Sequence, residues 1–287
     1  MKGEIRKEPL GLKHRELLYE KLRAVETPVS EYSFANLFLF RREHAYEVVF
    51  DREVFISGLT YDGRRYLMPT VDIKGLDMDY IYAMLEGYDF LYPVPEDRLA
   101  LFPGKLFITV FREGDSDYVF QTEKLRTYAG RRLHRKRNLL KHFREDYRHS
   151  AWPLTPERVP DALKVLEAWQ DASGQDKEDT DYKACRDGLR CAEEMLLCGG
   201  IFYADGKPAG FVLGEERPQE TYVLHFAKGL VEYKGIYQYM FNMFASVLPD
   251  KYRYVNLEQD LDIEALRASK SSYQPDMMVR KARVARV

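Results

Sequence analysis

The sequence predicts an α/β (α+β) protein made of two similar domains, each a mixed sheet flanked by helices. Three observations carry this expectation. The 287 residues are long for one core and comfortable for two. Strand-period and helix-period segments alternate in much the same order in both halves, without detectable sequence repetition. The second half contains a plain hairpin signal, GGIFYADGKPAGFVLGEE, in which two apolar runs flank Asp205-Gly206.

Residues 10–25 (LGLKHRELLYEKLRAV) predict a first helix, with Leu10, Leu17, Leu18, Leu22 and Val25 near one face. Pro28 ends it, and SEYSFANLFLF follows as a short aromatic-rich helix or turn. YEVVF and VFISGL form a strand pair around Asp51 and Arg52, and RRYLMPTVD adds another strand. DYIYAMLEG is a short helix; YDFLYPV, LFITVF and YVFQ are strands. In the second half Thr155-Pro156 starts a helix carrying Leu163, Leu166 and Trp169 on one side. After a polar loop, Cys185, Leu189, Ala192 and Leu196 repeat at helical spacing. The hairpin, the strand TYVLHFAKG, the helix YKGIYQYMFNMFASVLP, the strand KYRYVNLEQD and the helix IEALRASKSSY complete the half. The expected division is an N-terminal domain over 1–125, a basic connecting helix over 126–150 and a C-terminal domain over 151–287.

Composition narrows the class. Hydrophobic residues at 45% and charged residues at 31% are ordinary for a soluble globular chain, and the formal charge is -2. Cys185, Cys191 and Cys198 are odd in number and lack zinc-like partners, which predicts buried thiols in a reducing cytoplasm and no metal. No apolar run reaches the ~18 residues of a membrane span, so no integral membrane contact is expected.

Two strand-to-helix junctions are candidate ligand sites, because ligands gather beyond strand ends and at helix N-termini. In HFAKGLVEYKGIYQYM, Lys228, Lys234, Gly235 and Tyr237 surround such a junction. A solvated loop is the ordinary alternative. In YVNLEQDLDIEALRASKSSYQP, strand alternation places Tyr254, Asn256, Glu258 and Asp260 on one face. Arg267 and Lys270 share a side of the next helix. These charges form either a structural ion-pair cluster or a polar pocket where a carboxylate takes a proton. His225, mid-strand among aromatics, is either a satisfied core residue or a catalytic one.

The net charge hides a strongly basic stretch, RTYAGRRLHRKRNLLKHFRE. With Leu133 at zero and about 100° per residue, Leu133, Leu139, Leu140 and Phe143 form the buried stripe; Lys136 falls near 300° in its middle and Arg132 near 260°, still on the apolar side. Arg135, Lys141 and His142 point outward. An unpaired buried ammonium is costly, so Lys136 and Arg132 are expected to line an inter-domain cleft, with Glu258 and Asp260 as counter-charges.

DYVFQTEKLRTYAGRRLHRKRN, through Asp117, Tyr118, Leu125, Gly130, Arg131, Arg132, His134, Lys136, Arg137 and Asn138, resembles a bacterial family. That family carries the C-terminal domain of phosphatidylglycerol lysyltransferase (DUF2156-like). Asn256, Glu258, Asp260, Leu266, Arg267, Lys270, Tyr273 and Pro275 fall on the same pattern, and the resemblance covers most of the chain from about residue 80 onward. It implies two tandem acyl-CoA N-acyltransferase (GNAT-like) domains. Relatives of this kind include lysyltransferases that move an aminoacyl group from tRNA to a lipid head group, and Fem-type enzymes that build peptidoglycan bridges.

An acyltransferase or aminoacyltransferase is therefore expected. Its donor would be an acyl-CoA or an aminoacyl-tRNA, and no firm cofactor is implied. The expected catalytic residues are Glu258, Asp260 and His225. Arg132, Lys136, Arg137, Asn138, Asn256, Arg267, Lys270 and Tyr273 would hold substrate; Lys228, Lys234, Gly235 and Tyr237 would serve the donor. Two alternatives stand beside it: a CoA-dependent N-acyltransferase on a small amine, and a ligand-binding protein that keeps the fold without turnover.

Overall fold

The computed structural model of the chain describes residues 5–287, so the first four residues of the expected N-terminal domain lie outside it. The strands are β1 (Arg6–Pro9), β2 (Glu47–Phe50), β3 (Val54–Leu59), β4 (Arg65–Pro69), β5 (Phe90–Pro95), β6 (Phe107–Phe111) and β7 (Asp117–Gln121). They continue as β8 (His149–Pro153), β9 (Cys198–Ala204), β10 (Lys207–Arg217), β11 (Thr221–Gly229), β12 (Tyr254–Asn256), β13 (Met277–Val279) and β14 (Lys281–Arg286). The helices are α1 (Arg15–Arg23), α2 (Phe34–Leu39), α3 (Met78–Met84), α4 (Thr122–Thr127), α5 (His134–Asp146), α6 (Val159–Ser173), α7 (Tyr182–Arg190), α8 (Ile236–Val247) and α9 (Glu264–Ser271).

Two sheets form, in the orders β1-β2-β3-β4-β5-β14-β6 and β8-β9-β10-β11-β12-β7-β13. The second order repeats the first, element for element. Each sheet has four antiparallel strands followed by one parallel pair, β4/β5 or β11/β12. Beside each parallel pair lies a strand from the other half of the chain, β14 in the first sheet and β7 in the second. The compact units are consequently interleaved in sequence. Unit 1 takes 5–117, 259–267 and 278–287; unit 2 takes 118–258 and 268–277.

In unit 1, apolar residues on one sheet face pack under α3. Val49, Phe55, Leu67, Leu91 and Val284 meet Ile81 and Met84. In unit 2, α5 and α8 cover the sheet, with Leu140, Phe143, Tyr239 and Met240 over Phe120, Phe202 and Val255. At about 25 cal/mol per Å² of apolar area, burying such aromatics is the main drive for both layers. The hairpin forms as expected, with Asp205 and Gly206 both at positive φ (50° and 78°).

Several expectations need correction. Leu17 lies on the exposed side of α1. Helix α7 ends at Arg190, so Ala192 and Leu196 lie beyond it; Leu196 has φ 55° and is exposed. Only Cys185 is buried, whereas Cys191 is half-buried and Cys198 is exposed.

Candidate active site

Of the site residues of unit 2, His225 and Glu258 meet where the parallel pair opens. β11 and β12 are in register from Thr221/Tyr254 to Val223/Asn256. β12 then stops, while β11 continues to Gly229. Within that free run β11 carries a bulge. Leu224 pairs with Gly214 and Phe226 with Leu213, which leaves His225 without a cross-strand partner. Gly214 permits the close approach: a Cβ there would stand 2.0 Å from the Val223 carbonyl oxygen. We expect Gly214→Ala to destabilise the protein by about 1–3 kcal/mol, read as a lower urea midpoint at an unchanged slope.

The bulge delivers the buried His225 ring to two carboxylates. Nδ1 lies 2.9 Å from Glu258 Oε1 and Nε2 lies 3.0 Å from Glu215 Oε1. Burial alone would lower the pKa of this ring. The charges and hydrogen bonds of Glu258 and Glu215 overcome that and lift it to about 10. At neutral pH both ring nitrogens therefore donate, and His225 is an imidazolium. A ring that has already bound its proton cannot accept one, so the catalytic part expected of His225 is not that of a proton acceptor. Its geometry makes it the residue that positions Glu258.

Glu258 reaches this place through a turn rather than strand alternation. The buried Asn256 side chain accepts the Glu258 amide at 2.7 Å, and Glu258 takes φ 59°. Asn256 therefore shapes the backbone, and its expected role in holding substrate is corrected on that account. Asp260 does not continue the face of Glu258. It belongs to unit 1, fully buried, and accepts Arg267 Nε and Nη2 at 2.8 and 3.0 Å. Arg267 also reaches Asp262, and these carboxylates hold its pKa above the ordinary arginine value. The Asp260–Arg267 pair is a structural clamp.

On α5 the helical angle places Lys136 correctly on the inner side but not its partner. The half-buried ammonium rests 3.8 Å from the centroid of the Tyr273 ring. Burial alone lowers its pKa, and no carboxylate of unit 2 pairs with it among the described residues. The expected carboxylate counter-charge is replaced by an aromatic face, which attracts a cation through its quadrupole. Tyr273 is fixed by Gln238, whose Nε2 donates to its hydroxyl at 2.7 Å. Lys270 sits 6.0 Å from the Tyr118 ring.

Arg132 is exposed, against expectation. Gly130 has φ 93° and Arg131–Leu133 form a 3-10 turn, so the angular count holds only from His134. Arg137 donates to the carbonyls of Tyr128 and Gly130 and so ties down the same turn; Asn138 is exposed.

The donor candidates divide. Lys228 is buried and committed, with Asp181 oxygens at 2.6 and 2.8 Å and the Trp169 ring at 3.5 Å. Lys234 is exposed. Gly235 caps α8 at φ 92°, and a Cβ on it would stand 2.3 Å from the Leu139 carbonyl oxygen, so it sets the packing of α5 against α8. Tyr237 packs half-buried against the core.

Sequence reasoning passed over Glu215, whose only signal was its place beside the later bulge. It also passed over a second buried charge group, in unit 1. There Lys281 donates to Glu31 (2.9 and 2.7 Å) and to Asp117 (2.6 Å). Among the described residues no group of side chains is arranged to hold a metal, and no helix is long and apolar enough to cross a membrane.

A conserved protein of unknown function from Bacteroides thetaiotaomicron is 25% identical, over 99% of this chain and 100% of its own, with a TM-score of 0.84. The C-terminal domain (DUF2156) of a putative lysylphosphatidylglycerol synthetase from Agrobacterium fabrum is similar over 93% and 91%, at 14% identity and a TM-score of 0.64. FemX is similar over 98% and 97%, at 8% identity and a TM-score of 0.60. With the repeated strand order, these likenesses make the fold two tandem GNAT-like units of the Fem type. A family model described as phosphatidylglycerol lysyltransferase, C-terminal, matches residues 22–284, and the chain belongs to that family.

Proposed function

We propose that the chain is an aminoacyltransferase that moves an aminoacyl group from an aminoacyl-tRNA to an amine or hydroxyl acceptor. The observation that carries this reading is Lys136. A half-buried ammonium, held on the Tyr273 ring with no carboxylate of its unit beside it among the described residues, is ready for a negative charge that arises during reaction. With an amine acceptor, nitrogen attacks the ester carbonyl carbon and a C–N bond forms. The C–O bond to the ribose breaks, and its oxygen leaves with the electron pair. Glu258 takes the proton the nitrogen gives up and returns it to the ribose oxygen. His225 holds Glu258 in place through the bond to Oε1. Lys136 faces the carbonyl oxygen as it becomes negative. The exposed side chains of Arg131, Arg132, Arg135 and Lys141 meet the tRNA phosphates.

The test titrates charged and uncharged tRNA at rising salt and follows single-turnover loss of the aminoacyl group. Binding of charged tRNA should fall linearly with salt on logarithmic axes. Glu258→Gln should keep binding and slow transfer about a hundredfold. Lys136→Met should slow it to a similar degree while the melting midpoint holds or rises, because a half-buried charge without a carboxylate partner is removed. Weak tRNA binding that ignores salt would sink the reading. Stabilisation by acyl-CoA alone would replace it with CoA-dependent transfer. Ligand binding without transfer in the unchanged protein, and unaltered by Glu258→Gln, would leave a binding protein.

A further inference from the structure

The edges of the two sheets are not protected alike. A sheet edge exposes unpaired backbone groups, and folded proteins blunt it with charge, proline, a bulge or brevity. β1 carries Arg6, Lys7 and Glu8 and ends in Pro9. β8 ends in Pro153, and β13 has only three residues. The fourth edge, β6, has none of these protections. Its five residues, FITVF, contain no charge, glycine or proline, and it runs along β14 without a register shift. Ile108, Thr109 and Val110 are all exposed, the two aliphatic residues by about half.

The hydrogen bonds to β14 fix which backbone groups of β6 are free. The Val287 amide donates to the Leu106 carbonyl at 2.9 Å. Bonded and non-bonded pairs alternate along an antiparallel ladder, so Leu106, Ile108 and Val110 bond to β14. The backbone groups of Phe107, Thr109 and Phe111 turn outward. The Phe107 amide is taken by the Pro103 carbonyl at 3.0 Å. The Phe107 carbonyl, and the amides and carbonyls of Thr109 and Phe111, have no partner among the described residues.

We propose that β6 pairs with β6 of a second copy of this chain, antiparallel and symmetric about Thr109, so that two first sheets join into one. The strand suits a copy of itself. FITVF has the same character in both directions, so the symmetry sets Phe107 against Phe111, Ile108 against Val110 and Thr109 against itself. Thr109, on the axis, is also a residue whose amide and carbonyl point outward. Each copy therefore donates from its Thr109 amide to the Thr109 carbonyl of the other, and from its Phe111 amide to the other's Phe107 carbonyl. Ile108 and Val110 become non-bonded cross-strand pairs, the closer kind, and cover one another. The charges beyond the strand match as well. The same register brings the exposed Lys105 toward the exposed Glu113 at both ends. A contact of this symmetry closes at two copies.

Sedimentation equilibrium of the full chain from about 1 to 500 µM tests this. A monomer–dimer equilibrium is expected, with a Kd on the order of 1–100 µM, as suits a small interface. Ile108→Lys and Val110→Glu should each weaken it at least about tenfold, while the urea midpoint holds because both side chains are exposed. An equimolar mixture of these two variants should recover the dimer, because position 108 of one then faces position 110 of the other with opposite charge. Lys105→Glu should weaken it severalfold, and Glu113→Lys added to that variant should restore it. A chain still monomeric at the highest concentration would overturn the proposal and leave the edge to a different occupant. A dimer that neither Ile108→Lys nor Val110→Glu weakens, a mixture that recovers nothing, or association beyond two copies would overturn it too.

Discussion

Replacing Lys281 by methionine will destabilise the protein by about 3–5 kcal/mol at neutral pH. Lys281 is fully buried on β14, with the buried carboxylates of Glu31 and Asp117 around its ammonium. Burial alone would lower its pKa; the charges of Asp117 and Glu31 reverse that and raise it, so the lysine stays charged. Burial is also the main cause that raises the pKa of Glu31, and the nearby Asp117 adds to it against the opposing pull of Lys281. Methionine fills similar volume but leaves two carboxylates in a dry interior without their cation. The same group anchors the last strand of the first sheet, so β14 should lose amide protection before β2 or β3. Glu31→Gln will cost much less, because Asp117 still answers the ammonium. Urea unfolding of both variants checks the order. A cost below about 1 kcal/mol for Lys281→Met would mean that water reaches the group, and the buried triad would no longer account for the anchoring of β14.

This triad also explains what the sequence concealed. Most strands and helices were legible because their apolar residues repeat at period 2 or 3.6, and Asp205-Gly206 marked its hairpin without ambiguity. KARVAR was not read as a strand. Its alternation places Lys281 and Arg283 on one face, which looks like a solvated edge, yet both are buried against acids distant in sequence. No local pattern announces a long-range counter-ion. The candidate site divides in the same way. The helical angle of Lys136 was readable within α5, but its partner Tyr273 comes from beyond α9 and could not be deduced from spacing. Arg132 was misplaced because a 3-10 turn precedes the helix. Glu258 was identified, but its position depends on the Asn256 side chain turning the backbone to positive φ. The partners of His225 follow from a bulge, and one extra residue in a strand leaves no mark in apolar periodicity.

Replacing His225 by leucine will cost about 3–5 kcal/mol at pH 7, for the complementary reason. The imidazolium is the cation between Glu215 and Glu258, and without it two carboxylates face a desolvated gap. The effect carries a pH signature. The folded pKa, lifted to about 10, lies above the ordinary 6.5. The folded state therefore holds a proton that the unfolded chain gives up near neutrality. Stability from this group is fully present below pH 6.5 and is lost as pH rises through about 10. The unchanged protein should lose on the order of a few kcal/mol over that window, and His225→Leu should lack that part of the slope. Glu215→Gln separates stability from positioning. It lowers the pKa of the ring and shifts the loss to lower pH, while the bond from Nδ1 to Glu258 survives. Transfer activity in Glu215→Gln should then stay within a few fold at pH 6.5, where His225→Leu loses it. Urea midpoints at several pH values, set beside activity for the same three proteins, decide the matter. A slope in His225→Leu that parallels the unchanged protein would assign the pH dependence to other groups, and equal activity losses in the two variants would deny His225 its hold on Glu258.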